Sequence, residues 1–316
     1  MSQLIASKLN NMTSRFFKSN NGAKYQVPLH LMLLPSVVIL IVFSYIPMVG
    51  ILMAFENFNP VKGFFSSPFI GLKNFEYVMY LPDVLQVLWN TVNIAFMKIV
   101  VGLVVPVIFA LLLNEARNNF IKRSVQTIVY LPYFLSWVIL SGIIIDILSP
   151  SEGIINYFIK SMGINPIFFL GDGRFFPYVL VVTNTWKEFG YGTIIYLAAL
   201  TSIDPMLYEA SVMDGANRWK QVWHITLPGI VPIIILMTTL SLGNILNAGF
   251  EQVFNLYSPV VYKTGDIIDT FVYRIGIIDA QYGVATAVGL FKSVVSFVFI
   301  VASYKLADRL ANYRIF

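Results

Sequence analysis

Residues 86–113 read QVLWNTVNIAFMKIVVGLVVPVIFALLL, and a single charge, Lys98, interrupts them. A bilayer's hydrocarbon is crossed by about 20 apolar residues of helix, so this run is long enough to span it. Backbone groups in lipid find no water, which leaves helices or closed barrels as the spanning structures. Barrel strands alternate in polarity over about 10 residues, whereas this run is longer and apolar on every face. It is read as a helix. Similar runs occupy 29–54, 124–148, 176–200, 228–250 and 283–306, punctuated by Asn57-Phe58-Asn59-Pro60, Ser149-Pro150, Gly171-Asp172-Gly173 and Leu227-Pro228. The expected fold class is therefore all-α, a polytopic membrane protein with six transmembrane helices. The first run is too long for a signal-peptide core of about 7–15 residues, follows a polar tail and lacks a small-x-small cleavage site.

Composition agrees. The 316 residues are 57% apolar and 12% charged, against about 25% charged in soluble domains, and the mean hydropathy is +0.74. Cysteine is absent, which excludes disulfides, thiol nucleophiles and cysteine-ligated metals. The pI of 9.2 comes with no basic run or basic face, so nucleic acid is not an expected partner. Positive charge instead sorts by side. One set of segments carries Lys8, Arg15, Lys18, Lys24, Arg117, Lys122, Arg123, Arg218, Lys220, Lys305, Arg309 and Arg314. The opposite set carries Lys62, Lys73, Lys160, Arg174, Lys263 and Arg274. Cytoplasmic loops are enriched in Lys and Arg, so both termini are expected inside. The chain then divides into a cytoplasmic tail (1–27), a first helix and outer loop (28–85), a transmembrane core (86–306) and a second tail (307–316). No internal repeat is evident. The sequence Ile154–Lys160 reads as a short interfacial helix with a structural role, and the sequon Asn11-Met12-Thr13 falls in the inner tail.

The long inner loop, 201–228, has a legible local design. Asp204 suits a helix N-cap and Pro205 the first helical position. The helix runs to about Asp214, where Gly215 supplies a left-handed end. A second short helix follows, with Trp219, Val222 and Trp223 on one face, and Leu227-Pro228 opens the next span. Two helices bent at a glycine with exposed aromatic anchors suit a groove on a partner. They suit equally an amphipathic helix resting on the membrane.

Glu209-Ala210-Ser211, Asp214-Gly215-Ala216 and Ile225-Thr226-Leu227-Pro228 resemble the EAA loop of ABC importer permeases, with Ser211 replacing the usual third small residue. Residues 86–306 resemble the permease core. Leu34-Pro35, Tyr45-Ile46-Pro47, Ala54-Phe55, Asn59-Pro60 and Gly71-Leu72-Lys73-Asn74-Phe75 are similar to its carbohydrate branch, maltose-type and polysaccharide-fragment permeases included. The resemblance implies a type I importer permease fold. It also implies docking of the loop, through Glu209, Gly215 and their neighbours Ala210, Ser211, Asp214, Trp219, Leu227 and Pro228, into a cytoplasmic ATPase. The implied partners are two such ATPases, a second, related permease subunit, an extracytoplasmic solute-binding protein, an oligosaccharide and membrane lipid.

Charged groups inside spans mark functional candidates: here Lys98, Glu188 beside Lys187, and Lys292. Glu188 and Lys292 could face a pathway, or Glu188 could pair with Lys98 or Lys292 as a structural bridge. Sugar transport needs hydrogen-bonding groups and flat aromatic faces, for which Asn184, Trp186 and Tyr191 in the fourth run and Asn244, Asn247 and Glu251 in the fifth are candidates. Asn244 and Asn247 fall i, i+3, on one helical face. Polar side chains also join transmembrane helices to each other, and Gly243 and Gly249 read as packing residues. No phosphate-binding Gly-x-x-x-x-Gly-Lys-Ser/Thr sequence is present, so no cofactor is expected on this chain and ATP with magnesium belongs to a partner; an enzymatic role is not expected. His30 and His224 lie far apart, which argues against a histidine metal site. The competing readings are permeation of another polar solute such as an amino acid or peptide, a secondary transporter using Glu188, and a membrane enzyme.

Overall fold

A computed structural model describes residues 21–116 and 118–311. Lys8, the Asn11-Met12-Thr13 sequon, Arg15, Lys18, Arg117 and Arg314 lie outside the described residues. The chain forms two compact units, residues 1–52 and 53–316. In the first, helix α1 (Asn21–Leu40) continues through a π turn, Ile41–Tyr45, into a tighter segment beginning at Ile46. Its apolar side chains are exposed all round, from Leu29 to Leu52, as a lipid-facing helix requires.

The second unit is helical among its described residues, with one isolated bridge, Glu56 to Phe69. Helices α2 (Lys73–Tyr80) and α3 (Val84–Glu115) are followed by α4 (Asn119–Tyr130), α5 (Trp137–Leu148), α6 (Ile154–Ser161) and α7 (Phe176–Thr201). Then come α8 (Pro205–Met213), α9 (Arg218–Gln221), α10 (Leu227–Gly243), α11 (Phe250–Leu256), α12 (Tyr262–Gly265), α13 (Ile268–Tyr273) and α14 (Tyr282–Ala311). Among the described residues, four helices are long and apolar enough to cross a membrane: Pro28–Phe55, Val84–Glu115, Arg218–Gly243 and Tyr282–Lys305. A fifth arises if the bent pair Asn119–Phe134 and Trp137–Leu148 counts as one. Helix α7, interrupted by Lys187 and Glu188, is not among them by composition.

Helix α7 packs most extensively on α3, and α10 on α14. Small residues permit close approach here and between α7 and α4. A Cβ on Gly190 would lie 2.3 Å from the Val129 carbonyl oxygen, one on Gly192 would lie 3.4 Å from Pro106, and one on Gly243 would lie 3.3 Å from Ile300. The larger core gathers Ile94, Leu140, Phe176, Leu180, Leu246, Val253 and Ile268, and a smaller one Ala110, Tyr196, Leu200 and Ile230.

The expected single helix over 124–148 is instead bent by 105°. Pro132 ends the first arm in a short 3-10 turn, Leu131–Phe134, and Ser136 caps the second. One side chain gathers the carbonyls at the elbow, of which that of Pro132 also accepts the Leu135 amide (3.2 Å). Lys187, 7% exposed, donates to the carbonyls of Leu135 (2.6 Å), Tyr133 (2.8 Å) and Pro132 (3.5 Å). A cation at a helix C-terminus also opposes the helix dipole, and its Nζ lies 5.6 Å from the ring centroids of both Tyr133 and Trp137.

The expected continuous helix over 228–250 also breaks. Helix α10 stops at Gly243, and residues 244–249 form turns up to Gly249, whose φ of +92° favours glycine. Beyond it, the expected outer loop is helical and buried. Asp266 pairs with Arg274 (2.5 Å) and accepts from Thr270 (2.7 Å), while Asn90 donates to the carbonyls of Lys263 (3.1 Å) and Asp266 (3.2 Å). Helix α6 is a structural element: buried Asn156 donates to Ile167, Ser149 and Leu148 carbonyls. In the loop before α7, the Arg174 side chain and amide both bond Asp172, and this holds the Asp172 carboxyl below its ordinary value.

Substituting Lys187→Met removes the lysine donor from the Tyr133 and Leu135 carbonyls, at about 1–3 kcal/mol per buried group. A thermal unfolding scan of the purified protein should show a clearly lower Tm, with Lys187→Arg much closer to wild type; an unmoved Tm for Lys187→Met would mean the elbow is held by something else.

Candidate functional site

Two places concentrate chemistry. The first is the loop between α7 and α10. Asp204 accepts from the Met206 amide (2.9 Å), and Pro205 opens α8. The helix ends as the sequence suggests. Gly215 has φ +74°, its amide donates to the Val212 carbonyl (3.0 Å) and the Ala216 amide to that of Ser211 (2.9 Å). This pair of bonds is the Schellman arrangement. Asn217 then caps α9 by accepting from the Lys220 amide (2.9 Å), and α9 runs through a π turn, Val222–Thr226, into α10. Trp219, Val222 and Trp223 do share a face: with Leu227 and with Val107, Ile108, Leu111 and Leu112 of α3 they line an apolar hollow of about 550 Å³. Glu209, Ala210, Asp214, Gly215 and Pro228 are exposed.

The loop is braced from within. Buried Gln221 donates to Ser211 Oγ (2.9 Å), Ser211 donates to the Tyr208 carbonyl (2.7 Å), and the Tyr208 hydroxyl meets Thr226 Oγ1 (3.0 Å). Ser211, the departure from the family pattern, thus supplies the hydroxyl that ties α8 to α9. Tyr208, Gln221 and Thr226 gave no recognisable sequence signal, because what joins them is the turn at Gly215. A second hollow, about 460 Å³, lies against Tyr208, Glu209, Val212, Ala216, Asn217, Arg218 and Gln221.

The second place is a cavity of about 290 Å³ between α3, α7 and the break after α10. It brings together Asn184, Asn244 and Asn247, with Ser241 and Lys98. The two asparagines do not share a helical face as expected: they stand in the turn beyond Gly243, where the Asn247 amide donates to the Asn244 carbonyl (2.8 Å), and the fold turns both toward the cavity. Gly249 lines it too, rather than acting only as a packing residue. Lys98 Nζ donates to the Ala248 carbonyl (2.6 Å) and Gln252 Oε1 (2.5 Å). Gln252, itself buried, is oriented by the Leu180 carbonyl (2.8 Å) and Thr183 Oγ1 (2.7 Å).

The remaining candidates lie elsewhere. Tyr191 stacks on Tyr133, with centroids 4.1 Å apart and planes 4° from parallel. Trp186 and Glu251 are exposed. Glu188 is half-buried and joins no ion pair among the described residues, because Lys98 is committed to Ala248 and Gln252, and Lys292 forms an ion pair with Asp269. Neither alternative bridge to Glu188 is formed.

The family described as "Binding-protein-dependent transport system inner membrane component" matches residues 102–312. The chain is 41% identical to Protein LplB of Bacillus subtilis (strain 168) over 281 residues, covering 89% of this chain and 88% of the relative. It is 38% identical to the polygalacturonan/rhamnogalacturonan transport system permease protein YteP of the same organism, over 91% of this chain and 90% of the relative. Its fold matches a chain of a bacterial ABC transporter that imports the acidic polysaccharide alginate, with TM-score 0.85, 37% identity, and coverage of 94% of this chain and 99% of the other. A further crystal structure (TM-score 0.85, 36% identity, 93% and 99% covered) shows an alginate ABC transporter with an alginate pentasaccharide-bound periplasmic protein. The chain therefore belongs to the binding-protein-dependent transport system inner membrane component family, and is a multi-pass, membrane-embedded transport subunit.

Proposed function

We infer that this chain is one of two related permease subunits of an ATP-driven importer, translocating an oligosaccharide handed over by an extracytoplasmic binding protein. The observation that carries this reading is the braced, exposed loop 204–226, whose glycine-ended helix presents Glu209 on its surface. It is built as a rigid knob, and a rigid knob transmits displacement. Two cytoplasmic ATPases, using ATP and magnesium that this chain does not bind, would receive the knob and drive alternating access. Six spans with both termini inside a bacterial cytoplasmic membrane fit the positive-charge bias and put the loop on the ATPase side. Helix α7 and the bent α4–α5 pair would complete the six.

The substrate is read from the cavity and from the relatives. Asn184, Ser241, Asn244 and Asn247 offer amide and hydroxyl groups to sugar hydroxyls, and the similar proteins carry polygalacturonan, rhamnogalacturonan and alginate in their names. An acidic polysaccharide fragment is the favoured cargo. Trp186, Glu188, Tyr191, Glu251 and Lys292 stay candidates for other stages of the pathway. An amino acid or peptide cargo is the weaker reading.

Three experiments test this. In proteoliposomes holding the complete transporter, Glu209→Ala should lower sugar-stimulated ATP hydrolysis and uptake about tenfold with insertion unchanged; full uptake would remove the docking role. Substituting Gly215→Val meets open space, so its cost is backbone strain of roughly 1–2 kcal/mol. It should weaken ATPase copurification while leaving the spans protected from protease. Because the chain holds no cysteine, Ser151→Cys and Ser202→Cys report sidedness directly: an impermeant maleimide should label only the first in intact cells, and labelling of Ser202→Cys would reverse the topology.

A further inference from the structure

Among the described residues, four cations stand within or beside the helical core: two pair with carboxylates, and a third has all its donors engaged by carbonyls. Lys187 is spent on three carbonyls, Lys292 pairs with Asp269, and Arg274 with Asp266. Lys98 differs. It has two partners for three donors, the Ala248 carbonyl and Gln252 Oε1, and neither is a carboxylate. An ammonium has three donors and no acceptor, so one remains unspent. No carboxylate is among the residues that line the cavity into which Lys98 is built: Ala95, Ile99, Gly102, Asn184, Ser241, Asn244, Asn247, Ala248 and Gly249 accompany it. Glu188 lies one helical turn from Asn184 and within electrostatic reach of Lys98, but outside that lining and without a bond to it. Glycine at 249 keeps the neighbourhood open, since a Cβ there would stand 3.2 Å from Nζ.

We propose that Lys98 recognises the carboxylate of an acidic sugar unit, its third donor bonding a uronate oxygen while Asn184, Asn244 and Asn247 hold the ring hydroxyls. The proposal rests on the importer reading and specifies its cargo by charge. Gln252 acts as a positioning residue: fixed by Leu180 and Thr183, it holds the ammonium at the cavity wall. A charge-assisted hydrogen bond is among the stronger ones, so at least about tenfold discrimination is expected, equivalent to about 1.4 kcal/mol.

The test uses the complete transporter in proteoliposomes and two cargoes of equal length, a galacturonate oligosaccharide and its carboxyl-reduced neutral counterpart. Uptake by Lys98→Gln is divided by wild-type uptake for each sugar, so the binding protein's own preference cancels. The expected result is a loss for the acidic sugar at least about tenfold greater than for the neutral one, any loss common to both reporting the bond to Ala248, and substantial retention of acidic uptake by Lys98→Arg. Equal losses for both sugars in Lys98→Gln, with Lys98→Arg equally impaired, would assign Lys98 to structure and overturn the proposal. Acidic uptake unchanged in Lys98→Gln would overturn it while leaving the importer reading intact. Wild-type uptake of neither sugar would overturn the cargo assignment and this proposal, and a complex without substrate-stimulated ATP hydrolysis would overturn the importer reading with them.

Discussion

Hydrocarbon offers backbone groups no partner, and the architecture follows from where this chain departs from unbroken helix. It does so at the elbow near Leu135 and in the turns after Gly243, and each departure is closed by a lysine from another helix. Lys187 of α7 supplies the elbow carbonyls, and Lys98 of α3 supplies the Ala248 carbonyl. Non-helical backbone at membrane depth is tolerated where protein surrounds it or where it lines a cavity, and both conditions are met here. The second break is also what creates the cavity, because it peels Asn244 and Asn247 away from the helical ladder.

Loop and cavity are joined by the elements that flank both. Helix α7 carries Asn184 and runs directly into the loop at Thr201; α10 leaves the loop at Leu227 and reaches Ser241 and the Asn244 turn. The loop itself is stiffened by the Ser211–Gln221 and Tyr208–Thr226 bonds. Two helices therefore lead from the two ends of the loop to two walls of the same cavity.

Much of this was readable in the sequence, for reasons that are local. Apolar run length gave the helices, and Asp204, Pro205 and Gly215 marked the ends of α8 because capping is decided within a few residues. What escaped was non-local. Pro132 signals a break in general terms, but nothing near it announces a bend of 105°, since the group that stabilises that angle lies on α7. Asn244 and Asn247 were legible as a polar pair but not as turn residues: the apolar stretch continues through Ile245 and Leu246, and Gly249 alone hinted at the break. Lys98 stood out as an intramembrane charge, yet its partners, 150 and 154 residues away, emerge only from the fold.

The elbow has a consequence for how the chain is made. Its carbonyls precede their donor by 52 to 55 residues, so when α4 and α5 leave the ribosome the group that completes their bend has not been synthesised. The bend cannot be sealed until α7 arrives. The elbow's bonds to Lys187 therefore form only after the chain has been made through α7, so the order of synthesis sets α4 and α5 before the helix that finishes their bend.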